Sequence, residues 1–427
     1  MTIDLPPTRA EFHATIDRAT VRDWTGAVDS WWSTAGNWIP SGLPQLGDHV
    51  QQYVGTSMFN LGTLTLDRFY AGNLPGTVTH QLSGALSVNT FALGISGTAA
   101  DYRFGGTNTR LTTGATYIGA NGVGSINVNS GTWAASQFLS IGDAPNARGR
   151  VFHAGGRIST PELNVGYYGL GTYEIHGGTL LVGSFFSVGH ILNAAGTVEM
   201  AGGSIIAPIG IVGLTGSGTL IQSSGSIQVL QWFDVGEDVE ATGHYHLSGG
   251  TLTTPEFAVG FLGKGELIQT GGVIHAGPLY LGNFGSVELS DGVLETDVLN
   301  IDPGGRFNLT RHEANVADTS NVRGYVNSGN LYADGAVGYS TDLIRATLLG
   351  DANLDRTVNI SDSSILGANF GLSGEWWQGD FNYDGTVNIA DFGLMAANFG
   401  QSYARTTTVP EASLMLALPV LLMGRRR

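Results

Sequence analysis

Two stretches near the C terminus carry the densest oxygen chemistry of the chain. Residues 351–362 read Asp-Ala-Asn-Leu-Asp-Arg-Thr-Val-Asn-Ile-Ser-Asp, and residues 380–391 read Asp-Phe-Asn-Tyr-Asp-Gly-Thr-Val-Asn-Ile-Ala-Asp. Calcium takes about six to eight oxygens, and an EF-type loop supplies them from positions 1, 3, 5, 7, 9 and 12. In the first stretch those positions hold Asp351, Asn353, Asp355, the Thr357 carbonyl, Asn359 and Asp362. In the second they hold Asp380, Asn382, Asp384, the Thr386 carbonyl, Asn388 and Asp391. Two such loops, 29 residues apart, predict two bound Ca2+ ions. Val358 and Val387 at position 8 are predicted to pair the loops through a short strand contact. Each loop runs into a similar segment, 364–371 and 393–400, read as a short helix closing at glycine.

Residues 350–401 resemble a type I dockerin domain, and Asp at position 12 fits that family. The resemblance implies a small α domain folded around two calcium ions and docking onto a cohesin. Two positions depart from the pattern. Arg356 stands where glycine is expected, which predicts a strained or weaker first loop. Positions 10 and 11, where the family often carries partner-contacting Ser/Thr, are Ile360/Ser361 and Ile389/Ala390. The expected partner is therefore a cohesin-like protein or a surface or matrix component, not an ordinary cellulosome cohesin.

The elements that must carry this module form a repeat. A branched or aliphatic residue followed by Gly recurs from Leu93-Gly94 to Leu281-Gly282, with steps of 23, 24, 23, 24, 23, 24 and 22 residues from Gly119 onward. A second anchor of small residues, such as Gly155-Gly156, Gly177-Gly178 and Gly249-Gly250, runs in step with it. Four residues before each pair stands an apolar or aromatic side chain (Ile126, Val151, Tyr173, Val198), and two residues beyond it another (Trp133, Ile158, Leu180, Ile205). An apolar-x-apolar triplet precedes the Val-Gly anchor, except that Gly210 replaces its first member in one copy. Three short strands per unit cannot bury their own apolar faces, whereas stacked units bury all three columns together. The 65 glycines among 427 residues, against a usual ~7%, then mark corners that need positive φ or close backbone approach. The fold expected is mainly β: a parallel β-helix of nine or ten coils over 61–310, about 45 Å long at ~4.8 Å per coil. A cap or linker, 311–349, would join it to the α module. Trp24, Trp31, Trp32 and Trp38 are expected to form an N-terminal cap over 24–60, with an aromatic sugar platform as the alternative. These features together resemble secreted β-helix proteins of planctomycete-type bacteria.

The coil register also tests for catalysis. Glycosidases need two carboxylates ~5–9.5 Å apart. Glu174 and Glu199 fall in one outward column on adjacent coils, so they are the one pair whose predicted spacing fits. Glu162 and Glu256 share a column but stand four coils apart, roughly 19 Å. Lys264, the single lysine, lies in a turn, and no acidic cluster is near it in sequence. His244 and His246 should point outward, where they offer a loose metal contact, and His153 should lie inside. No Ser-His-Asp set and no phosphate loop is assignable. Absence of cysteine excludes disulfides, thiolate zinc and cysteine nucleophiles. A net charge of −16 argues against nucleic acid.

The last residues, 408–427, resemble a PEP-CTERM sorting signal: Val409-Pro410-Glu411, an apolar run from Leu414 to Met423, and three arginines. The resemblance implies removal by an exosortase after transient membrane association through the tail. Residues 1–23 contain no apolar signal-peptide core, and the expectation is a start codon placed downstream of the true one. The leading expectation is thus a secreted, non-catalytic β-helix scaffold or adhesin of a Gram-negative cell surface or exopolysaccharide matrix. The alternative is an extracellular polysaccharide lyase or glycoside hydrolase delivered by its docking module.

Overall fold

The computed structural model describes residues 19–72, 77–96 and 99–404. The chain is mainly β and winds into a β-solenoid of about 12 turns. This exceeds the nine or ten coils expected from the sequence, and the extra rungs lie at the ends. Val21–Trp24 pairs in parallel with His49–Gln52, which pairs with Arg68–Ala71. The segment assigned to the N-terminal cap is therefore already part of the stack. Its spacing is irregular, and the glycine anchors that mark later coils are missing there.

Each regular coil presents three faces. On the first, Ser57, His80, Tyr102, Ile126, Val151 and Tyr173 follow one another in parallel register. The second stacks Leu111, Trp133, Ile158, Leu180, Ile205 and Ile227. The third stacks Leu139, Leu163, Phe186, Gly210, Phe233 and Phe257. The inward members of these columns are almost all fully buried. Two kinds of glycine make the corners. Gly119 adopts φ +72, in the left-handed region that other residues resist. Gly149 has an ordinary φ, but a Cβ there would lie 2.0 Å from the Ile118 carbonyl of the preceding coil. Gly119 needs the missing atom as well, since a Cβ there would lie 2.4 Å from the Arg148 carbonyl, whereas Gly149, inside the strand Arg148–His153, needs only the missing atom.

Trp24, Trp32 and Trp38 close the N-terminal end. All three are buried, and their rings meet edge-on at 5.0 Å. Of the four tryptophans only Trp31 remains exposed, so the other three rings present no open face to a sugar. At the other end the parallel stack stops where Glu313–Asp318, parallel to the preceding coil, accepts an antiparallel partner in Leu343–Thr347. That strand pairs antiparallel with Ala336–Tyr339 in turn. A short helix, α1 (Val322–Ser328), lies between. The α module follows as α2 (Ile360–Asn369) and α3 (Ile389–Asn398). No break in the core separates it from the cap. One apolar cluster runs from Trp24 to Met395. The Trp376 Nε1–H donates to the Asp351 carbonyl at 2.7 Å, and the Tyr383 hydroxyl donates to the Val337 carbonyl at 3.0 Å.

Candidate functional site

The two oxygen-rich loops fold alike, atom for atom. In each, position 9 caps the following helix: the Asn359 side chain accepts from the Ser361 N–H, and Asn388 from the Ala390 N–H. Position 12 completes a reciprocal capping box, with the Asp362 and Asp391 carboxylates accepting from the N–H of Asn359 and Asn388 at 2.8 and 2.9 Å. The other oxygen of each carboxylate accepts from the second and third residues of its loop. Leu354 and Tyr383 at position 4 share φ near +60.

Asp351, Asp362, Asp380 and Asp391 are fully buried. Burial raises the pKa of Asp351, and the Asp362 and Asp355 charges add to it. Asp380 is likewise raised by burial, against the lowering effect of the Gly385 N–H and Arg323. Hard oxygen donors around two buried carboxylates fit calcium chemically. Among the described residues, however, no three His, Asp or Glu side chains are gathered as a metal-holding group. The remaining donors of each loop are one further carboxylate, Asp355 or Asp384, two amides and a backbone carbonyl.

The loops differ in their arginines. Arg356 adopts φ +71, the conformation glycine would take freely. Its guanidinium reaches Glu313 of the solenoid cap at 2.7 Å, and Glu313 also holds Arg345 at 2.7 Å. The side chain that strains the loop therefore fastens it to the stack. In the second loop Arg323 from α1 sits 3.1 Å from Asp380 and competes for its first carboxylate.

The expected contact between Val358 and Val387 is replaced by an exchange. The Val387 N–H donates to the Leu372 carbonyl and its own carbonyl accepts from Gly371, just after α2. Val358 does the same with Gln401 and Gly400, just after α3. Each loop is thus laced to the exit of the other helix. Ile360 and Ile389, at the helix starts, stay in solvent.

The paired glutamates are adjacent in register, as expected: Glu174 lies opposite Glu199. Both Glu174 oxygens, however, are held by the Arg150 guanidinium at 2.5 and 2.6 Å. A carboxylate clamped bidentately from the neighbouring coil is a poor general acid, base or nucleophile. His244 pairs with Glu266 across coils at 2.8 Å. His153 is interior, with its Nδ1 against the Tyr173 hydroxyl at 2.9 Å.

The structure also brings together carboxylates that the sequence kept apart. Outward positions of the third face, Asp234, Ala258, Tyr280 and Asn300, follow one another in register. They floor a hollow of about 480 Å³, walled by Trp232 and Glu256 on one side and by Glu237, Phe261 and Asp302 on the other. Ala258 offers only a methyl group, so the floor dips between Asp234 and Tyr280. Burial pushes the Asp234 carboxyl up to about 7, with Glu237 and Glu256 adding to the shift. Burial raises Glu237 as well, helped by Asp238. The coil register singled out Glu174 and Glu199 as the one fitting pair, and the structure adds this group of carboxylates. Strand alternation marks these residues as outward, but it does not show that the turns after Gly236 and Gly260 rise as a wall beside them.

A second hollow of about 320 Å³ lies farther up the same column, around Ser140, Asn164 and Tyr167. Part of its polar lining is bonded internally: Ser187 bonds Asn164 and His190, and Ser140 bonds Asp143.

No protein-family model matches the chain, and no curated protein or solved structure is significantly similar to it. Among the described residues no helix is long and apolar enough to cross a membrane. Val409, Pro410 and Glu411 of the sorting motif, and residues 1–18, lie outside the described residues.

Proposed function

We propose that this chain is a secreted, non-catalytic β-helix scaffold of the cell surface or exopolysaccharide matrix, ending in a calcium-dependent docking module of dockerin type. The observation that carries the reading is the twofold repetition of one oxygen-rich loop, with the same caps and the same buried carboxylates, at the end of a rigid solenoid. Asp351, Asn353, Asp355, Thr357, Asn359 and Asp362 would hold one Ca2+. Asp380, Asn382, Asp384, Thr386, Asn388 and Asp391 would hold the other. The ions would neutralise carboxylates that burial otherwise penalises. Exposed Ile360 and Ile389 offer a cohesin-like partner an apolar contact. The Val409-Pro410-Glu411 tail supports export and exosortase processing.

The test is thermal unfolding of the full chain in calcium and in chelator. Calcium is expected to raise the melting temperature by several degrees, since a ligand at 100 times its Kd adds about 2.7 kcal/mol. Identical melts would sink the calcium assignment. The second reading, a polysaccharide-degrading enzyme, is favoured by one observation, the raised Asp234 beside Glu237 and Glu256. Release of reducing ends from a polysaccharide, lost in Asp234→Asn, would establish it over the scaffold.

A further inference from the structure

The hollow around Asp234 has features that the rest of the chain does not account for. Asp234 is only 9% exposed, and no hydrogen bond or ion pair joins its carboxylate to a described residue. Oε2 of Glu237 is buried beside it and also unpartnered. An unpaired buried polar atom is costly, so Glu237 Oε2, lining the hollow, favours a donor from outside the chain. In the second hollow on the same column, by comparison, Ser140, Asp143, Asn164 and His190 are tied up in internal hydrogen bonds.

Trp232, Phe261 and Tyr280 keep 37%, 59% and 39% of their surface exposed around this same hollow. Large apolar surface left in solvent at one place marks a binding surface. The floor also repeats, one side chain per coil at ~4.8 Å. A track with a fixed step suits an extended polymer better than a compact molecule. No Lys, Arg or His lines the hollow, so polyanions are repelled.

We infer that this track binds an uncharged polysaccharide chain, its sugar rings lying on Trp232, Phe261 and Tyr280 and its hydroxyls donating to Asp234, Glu237 and Glu256. The inference deepens the scaffold reading by naming what the solenoid holds. Partial protonation of Asp234 near neutrality lowers the charge that a neutral chain must approach.

The experiment is affinity electrophoresis of the full chain in gels containing mixed-linkage β-glucan, xylan or galactomannan, with polygalacturonate and chitosan in parallel. At least one neutral gel should retard the protein. Trp232→Ala/Phe261→Ala should weaken that retardation by about tenfold or more, and Asp234→Ala should also weaken it. Trp31→Ala, at the far end, should change nothing. Melting temperatures confirm that each variant is folded, and Tyr280→Ala replaces the double variant if it is not. Failure of every neutral gel, or equal retardation of wild type and the aromatic variants, overturns the inference. Retardation by chitosan alone, which the net charge of −16 produces without the hollow, also overturns it. Runs in chelator separate this idea from the docking module. Retardation should persist there, whereas retardation that vanishes and ignores Trp232 belongs to the loops.

Discussion

His153 shows how a single titratable side chain can be carried inside a solenoid. It stands in a column with Ile175 and Met200, fully buried, and burial lowers its pKa to about 4. The unfolded value is near 6.5. Below that value the unfolded chain takes up a proton that the folded chain refuses, so His153 costs stability as pH falls from about 6.5 toward 4. Its interior place is readable from the sequence because its column neighbours are aliphatic. Its link to Tyr173 is not, because that bond crosses to the next coil. His153→Leu alone should cost about 1–3 kcal/mol at pH 7.5, since it leaves the Tyr173 hydroxyl buried and unpaired. His153→Leu/Tyr173→Phe removes both partners and should come within about 1 kcal/mol of wild type. Between pH 6.5 and 4 the double variant should lose less stability than wild type in urea melts. Parallel pH profiles would show that His153 contributes nothing to acid sensitivity. His80, buried in the irregular N-terminal coils and lowered to about 3, contributes with the same sign and was not legible, because no repeat register reaches it.

Gly210 makes the same point for an element. Read along the chain, it breaks the apolar-x-apolar triplet and looks like a defect in one coil. Across the coils it is a fitted position. Phe186 and Phe233 stand in register on either side, with ring centroids 6.3 Å apart. A Cβ on Gly210 would meet Phe233 at 2.6 Å and Phe186 at 2.7 Å. Two large rings fill the room that a third side chain would need, so the column keeps its volume while the triplet loses a member. Periodicity showed the columns, and even the odd residue, but packing between coils lay outside any one-dimensional pattern. The same limit hid the exchange of Val358 and Val387 between the two loops. Gly210→Ala should destabilise by about 1–3 kcal/mol through overpacking. Phe186→Leu should recover part of that loss in the same background. A neutral Gly210→Ala in chemical denaturation would mean that the rings yield freely and the column is loosely packed.

At the scale of the whole molecule, the sequence divides cap from α module at about residue 349, where coil-like composition gives way to the two loops. The structure puts no solvent gap there. Arg356 bonds Glu313, Arg323 bonds Asp380, and the Tyr383 hydroxyl bonds the Val337 carbonyl across the expected boundary. Composition marks this boundary but not its bridging, which is made by long side chains reaching across it. A solenoid, by contrast, is coupled mainly between neighbouring coils, so disturbance at one end decays along the stack. Calcium removal should therefore act as a local event of defined extent. In hydrogen exchange on the full chain, chelator is expected to raise exchange through the loops and helices and also across 311–349, because these share one core. Exchange in the coils between Arg148 and Val259 should stay unchanged. Protection lost from 350–404 alone would mean that the cap stands without the module. Loss spread evenly along every coil would mean that the molecule unfolds as one unit, and either result would overturn the picture of a rigid solenoid with a calcium-tightened end.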